Sequence, residues 1–253
     1  MRIVCLITVL LICAPPATYA ADLSVRIPPI RATLPVADQP VVVIVSGHVS
    51  TSPSLAGERI ALNIDADLSD LQQKITPILR AQLNQDNRCG DRMSVDRATL
   101  VPQPPASLLT LYVHYEKWAC AKALGKEIVK KLVAGDGVIT VRLTAVVDAP
   151  DTVHLGADVV SMDASGQLAE ILHSGSFGSA LQEKIRKKLV SELGKSANLK
   201  ATLPSALQSV AAVKTAEFSN GGEGRLWLAI SGEVEVSAEQ AAALAGQLKT
   251  LAR

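Results

Sequence analysis

Apolar and polar residues alternate at a period of two along much of this chain, and the period lengthens to that of a helix in a few segments. Arg59 to Asp65 is the clearest strand pattern, with Ile60, Leu62 and Ile64 on one face and charged or amide groups on the other. Upstream, Val25, Ile27 and Ile30 surround Pro28-Pro29, and Pro40 introduces Val41 to Val45. Prolines there predict edge strands or kinks. From Leu108 to Trp118, Leu109, Leu111, Val113 and Tyr115 alternate with Thr110, Tyr112 and His114. Gly135-Asp136-Gly137 predicts a turn into a strand over 138–148. A break at Pro150-Asp151 and a second strand over 152–162 make this stretch an antiparallel meander. Val210 to Phe218 and Arg225 to Ile230, joined through Asn220-Gly221-Gly222, read as a hairpin.

Helical spacing appears first from Ser69, with Asn87 and Gly90 bracketing the expected end. Ser69 with Gln72 predicts a capping box, Asp70 suits the first turn, and Leu71, Ile75, Ile78, Leu79 and Leu83 form a stripe. Pro77 predicts a kink. Lys122 to Val133 reads as a short helix. A second long helix is expected from Ser179, where Leu181, Ile185, Leu189 and Leu193 recur every fourth residue before Gly194. Ser237 with Gln240 opens a final helix carrying Leu244, Leu248 and Leu251. Strands, long helix, meander, long helix, hairpin and closing helix predict an α+β fold with antiparallel sheet.

The amino terminus sets the expected compartment. Arg2, the apolar run Ile3 to Cys13, and Ala17-Thr18-Tyr19-Ala20 have the order of a secretory signal peptide cut before Ala21. Residues 21–253 then form one exported domain, secreted into the periplasm of a cell with an outer membrane. Leu10-Leu11-Ile12-Cys13 faintly resembles a lipobox, but Ile12 is a poor residue before a modified cysteine, so lipid anchoring at Cys13 is not the expected outcome. Loss of Arg2 leaves 24 basic and 24 acidic residues. That neutrality argues against nucleic-acid binding. An apolar content of 48% with only 3% aromatics requires an aliphatic interior, and the mean hydropathy of +0.27 hints at more apolar surface than one core needs. Cys89 and Cys120 remain as an even pair in an oxidising compartment and predict a disulfide. Closing that loop should contribute about 3–4 kcal/mol.

Catalytic chemistry is hard to find. His48, His114, His154 and His173 are far apart, without a partner at metal-site spacing, so no metal or cofactor is expected. Ser174-Gly175-Ser176-Phe177-Gly178 lacks the Gly-x-Ser-x-Gly elbow, and Gly221-Gly222-Glu223-Gly224 is no phosphate loop. Lys184, Arg186, Lys187 and Lys188 give the second helix a basic face, which suits either solvent or anionic headgroups in a peripheral membrane contact.

The stretches 199–204, 213–218 and 224–232, followed by the capped helix from Ser237, resemble bacterial members of the tubular lipid-binding superfamily. The amphipathic helix over 179–193 fits the same layout. The resemblance implies a strongly twisted antiparallel sheet wrapped around two long amphipathic helices, with a short carboxy-terminal helix and an apolar groove. It also implies non-catalytic binding of lipid or another hydrophobic small molecule. Leu71, Ile75, Leu79, Leu181, Ile185 and Leu189 would line that groove or the core beneath it. The alternative is a cell-envelope structural or interaction domain with a filled core and no ligand.

Overall fold

The computed structural model describes residues 24–54, 57–84, 89–123, 126–149, 152–172 and 211–235, together with 179, 180, 183, 186, 187 and 191. Among them, nine strands form two antiparallel sheets. The first holds β1 (Ser24–Val36), β2 (Gln39–Ser54), β3 (Gly57–Asp67), β8 (Ala211–Asn220) and β9 (Leu226–Glu235), in the order β1-β2-β3-β9-β8. The second is a meander of β4 (Gly90–Gln103), β5 (Ala106–Ala123), β6 (Lys126–Ala149) and β7 (Thr152–Ala164). Two helices with defined bounds accompany them, α1 (Ser69–Leu83) and α2 (Gly166–Leu172).

Local chemistry explains the edges. β1 is an edge strand, and its register slips between Ile27 and Ile30, at the prolines that cannot donate to a ladder. Ala37 and Asp38 close the β1–β2 hairpin at φ 47° and 62°, the left-handed conformation that two-residue hairpin turns demand. Inward alternation along β5 buries Leu109, Leu111, Val113 and Tyr115 against Ile139, Val141 and Leu143 of β6. α1 adds Ile75, Ile78, Leu79 and Leu83, and Val41, Val43, Phe218, Leu226 and Leu228 close the same cluster from the first sheet. Each fully buried aliphatic side chain contributes roughly 1.5–3 kcal/mol.

α1 runs unbroken across Pro77, and its polar face covers the exposed edge of β4. Gln72, Thr76, Arg80 and Asn84 recur every fourth residue and meet β4 in turn. Gln72 Nε2 donates to Leu100 O at 2.9 Å, and Thr76 Oγ1 accepts from Ala98 N while donating to Ala98 O, both at 3.0 Å. Arg80 Nε donates to Val95 O at 2.9 Å, and Asn84 Oδ1 accepts from Val95 N at 2.8 Å. Backbone groups of an edge strand are thereby paired with side chains rather than left as a template for another chain.

Three sequence expectations are overturned. The architecture is predominantly β, two antiparallel sheets with two short helices of defined bounds, and not a sheet wrapped around two long helices. The helix expected over Lys122 to Val133 is not formed: Lys122 and Ala123 lie in β5 and 126–133 in β6, and the two strands pair with each other. Its Ile128 and Leu132 share a helical face, but Ile128-Val129 and Val133 suit a strand equally, and pairing along β5 decides. The turn expected at Gly135 is also absent, since β6 passes straight through it. Gly135 instead makes room for α2: a Cβ there would lie 2.6 Å from that of Leu168.

Candidate functional site

β5 and β6 outrun their neighbours. β4 reaches β5 only as far as Gly90, opposite Trp118, and β7 reaches β6 only to Gly137, opposite Ala164. Among the described residues, 119–123 and 126–130 pair solely with each other as a two-stranded ribbon. The disulfide Cys89–Cys120, with Cα atoms 5.8 Å apart across 31 positions, ties the ribbon's base to the chain entering β4. The pairing expected from the cysteine count is formed.

Alternation gives the ribbon's base two different faces. On the outer face, Glu116 collects donors. Lys131 Nζ lies 2.6 Å from its Oε1 and Trp118 Nε1 donates to its Oε2 at 2.8 Å. Arg92 Nη1 stands 3.9 Å from Oε2. The Arg92 guanidinium and the Lys131 ammonium also lie 4.9 and 5.2 Å from the Trp118 ring centre, close enough for cation–π attraction. Hydrogen bonds from Lys131 and Trp118 hold the Glu116 carboxyl down at about 2. Beside it, His114 Nδ1 is 2.6 Å from Asp136 Oδ1 and its Nε2 is 3.6 Å from Glu116 Oε1. The Asp136 hydrogen bond raises the histidine pKa above its ordinary value.

The inner face continues the core's alternation past the end of the core. Tyr115 is buried and donates to Asp91 Oδ1 at 2.7 Å, and burial pushes its hydroxyl pKa up. Lys117 Nζ lies 3.7 Å from the same carboxylate oxygen. Beyond them the register sets Ala119 opposite Lys130, Ala121 opposite Ile128 and Ala123 opposite Lys126. At the bulge, Lys117 pairs with Val133 and Trp118 with Lys131, so Leu132 is the extra residue. Ile128 and Leu132 are 54% and 50% exposed.

Chemically this end of the sheet is a braced electrostatic platform. A carboxyl held at about 2 is a poor proton acceptor at neutral pH, and His114 is shared by two carboxylates. His154 is paired likewise, its Nδ1 2.8 Å from Asp148 Oδ2. His48 Nε2 lies 3.2 Å from Asn63 Nδ2.

The groove residues expected on α1 belong to the core. Ile75 and Leu79 are buried and Leu71 packs, partly buried, against the same cluster. Leu181, Ile185 and Leu189, with Lys184 and Lys188, lie outside the described residues, as do the signal peptide, His173 and the final helix. Of the expected headgroup contacts, Arg186 and Lys187 are described, helical and exposed. Arg186 Nη1 stands 3.5 Å from Asp158 Oδ1, and Lys187 Nζ 3.7 Å from Glu183 Oε1. A cavity of about 10 Å³ lies between Tyr115, Ile139, Met162 and Leu168, room for little more than one water. The ribbon cluster was missed because the strand pattern was followed only to Trp118. One further period-two step, His114-Glu116-Trp118-Cys120, would have carried it into the ribbon.

Compared with protein-family models, curated proteins and solved structures, the chain matches none.

Proposed function

We propose that this chain is a non-catalytic interaction module of an oxidising, extracytoplasmic compartment, with a filled core and its working surface at the ribbon end of the meander. The filled core carries the reading. Among the described residues, Leu79, Leu83, Leu109, Leu111 and Val141 are 0–1% exposed, all in one cluster, and the cavity of about 10 Å³ between Tyr115 and Leu168 is smaller than an acyl chain requires. The leader-like terminus and the Cys89–Cys120 bond support the compartment.

Native mass spectrometry tests the reading on the exported chain, purified oxidised and without detergent. The expected result is a bare protein mass, two hydrogens below the reduced form for the Cys89–Cys120 bond. A lipid released on denaturation would overturn it and favour the aliphatic-ligand module instead.

A further inference from the structure

We propose that the β5–β6 ribbon is a membrane-surface anchor that lies against the headgroups of an anionic lipid bilayer. The inference rests on the reading of this end of the sheet as the working surface, and names its partner. Over the whole chain acidic and basic residues nearly cancel, at 24 and 25. Residues 119–133, however, hold Lys122, Lys126, Lys130 and Lys131 against the single acid Glu127. Lys131 is engaged by Glu116 and Lys122 stands opposite Glu127 in register, so the attraction is assigned to Lys126 and Lys130, which share a face.

Register then places apolar and cationic residues together. Lys126, Ile128 and Lys130 follow one another on one face of β6, opposite Ala123, Ala121 and Ala119. An isoleucine between two lysines, over a floor of alanines, stands clear of the ribbon. That is the pairing a bilayer interface selects: the apolar side chain enters below the headgroups while lysine stems snorkel and keep their ammoniums at the phosphates. Leu132, the extra residue of the bulge, is half exposed as well. An acidic protein surface would satisfy the lysines but would give Ile128 and Leu132 no apolar medium.

Length sets the mode of contact. Five residue pairs at about 3.3 Å each span roughly 16 Å, about half of a bilayer's apolar thickness of about 30 Å. The ribbon therefore rests on the surface and does not cross. The Cys89–Cys120 bond holds its base before docking, which lowers the ordering cost of binding.

Co-sedimentation of the oxidised full chain with vesicles tests this, comparing phosphatidylglycerol mixed into phosphatidylcholine with phosphatidylcholine alone. The chain should sediment with the anionic vesicles only and return to the supernatant at high salt. Lys126→Gln and Lys130→Gln should each weaken binding about fivefold. Ile128→Ser should weaken it about fivefold while leaving its salt dependence unchanged. All three positions lie beyond the core, and far-UV circular dichroism would verify that each variant is folded. Three results would overturn the anchor: no vesicle binding by the wild type, equal binding to both vesicle types, or ribbon variants that bind like the wild type. In the last case Lys184→Gln with Lys188→Gln would show whether the second basic segment is responsible. Lipid found inside the protein by native mass spectrometry would sink the filled core and leave this test intact.

Discussion

His114 sits between two carboxylates, and its charge is worth most when both are ionised. The Asp136 hydrogen bond raises its pKa above the ordinary value, with Glu116 adding to the effect and partial burial opposing it. A raised folded-state pKa contributes stability that is fully present below the unfolded value of about 6.5. That contribution is lost as pH rises through the folded value. Asp136→Asn should therefore bring the histidine back toward its ordinary pKa, read from its ring-proton shifts by NMR. The wild type's stability advantage over this variant should be largest below about pH 6.5 and should be lost as pH rises through the histidine's raised folded-state value. Because Asp136 is 72% exposed, screening keeps the effect small and added salt should shrink it further. An unchanged histidine titration in the variant would refute the pairing. Part of this was legible in the chain, since Glu116 lies two residues from His114 and so on the same strand face. Asp136 was not, because it arrives through the β5–β6 register, which a linear reading does not contain.

The stripe Gln72-Thr76-Arg80-Asn84 shows how α1 works as an element. Its start and apolar face were readable from spacing, because a 3.6-residue period is a local property, whereas its end comes at Leu83, before the Asn87 and Gly90 expected to bracket it. The expected capping box was not what forms. Leu68 is the N-cap and has no side-chain cap bond, and Asp67 Oδ1 accepts from Ser69 N at 2.8 Å. Gln72 is drawn outward instead: its Nε2 donates to Leu100 O and to Gly224 O, and its Oε1 accepts from Leu226 N at 2.7 Å. One amide thereby joins α1, β4 and the start of β9. Gln72→Ala should cost about 1–2 kcal/mol in urea denaturation, because it strips partners from backbone groups at a partly buried junction. Ser69→Ala should cost less than about 0.5 kcal/mol, whereas a working cap would cost about 1 kcal/mol. The reverse order of the two variants would reinstate the capping box. The Lys122 to Val133 segment failed as a helix for a related reason: its partner strand supplies a ladder that local spacing cannot anticipate.

At the scale of the whole molecule, what the linear chain hides is which strands meet. Of the meander, β5, β7 and the later half of β6 were readable from alternation, whereas β4 was not anticipated and the first half of β6 was read as a helix and a turn. β3 pairs with β9, joining Asp67 to Trp227 and Arg59 to Glu235, and that closure gathers the first sheet from both ends of the described chain. The sheets are then joined to each other. Phe218 N of β8 donates to Pro105 O, between β4 and β5, at 3.0 Å. A single buried cluster runs from Val43 and Leu228 of one sheet through α1 to Leu111 and Val141 of the other. Neither sheet can lose its partner without exposing that shared surface, so the two should unfold together. The chain's two tryptophans make this measurable, since Trp118 lies in the second sheet and Trp227 in the first. Trp118→Phe and Trp227→Phe leave one reporter per sheet. Each variant's fluorescence transition in urea should coincide with its own far-UV circular dichroism transition, and the two should have matching slopes. Phenylalanine shifts the stability of each variant, so the within-variant comparison decides. A fluorescence midpoint displaced from the dichroism midpoint in either one would mean that the sheets are separable units. The shared cluster would then be an interface between two domains.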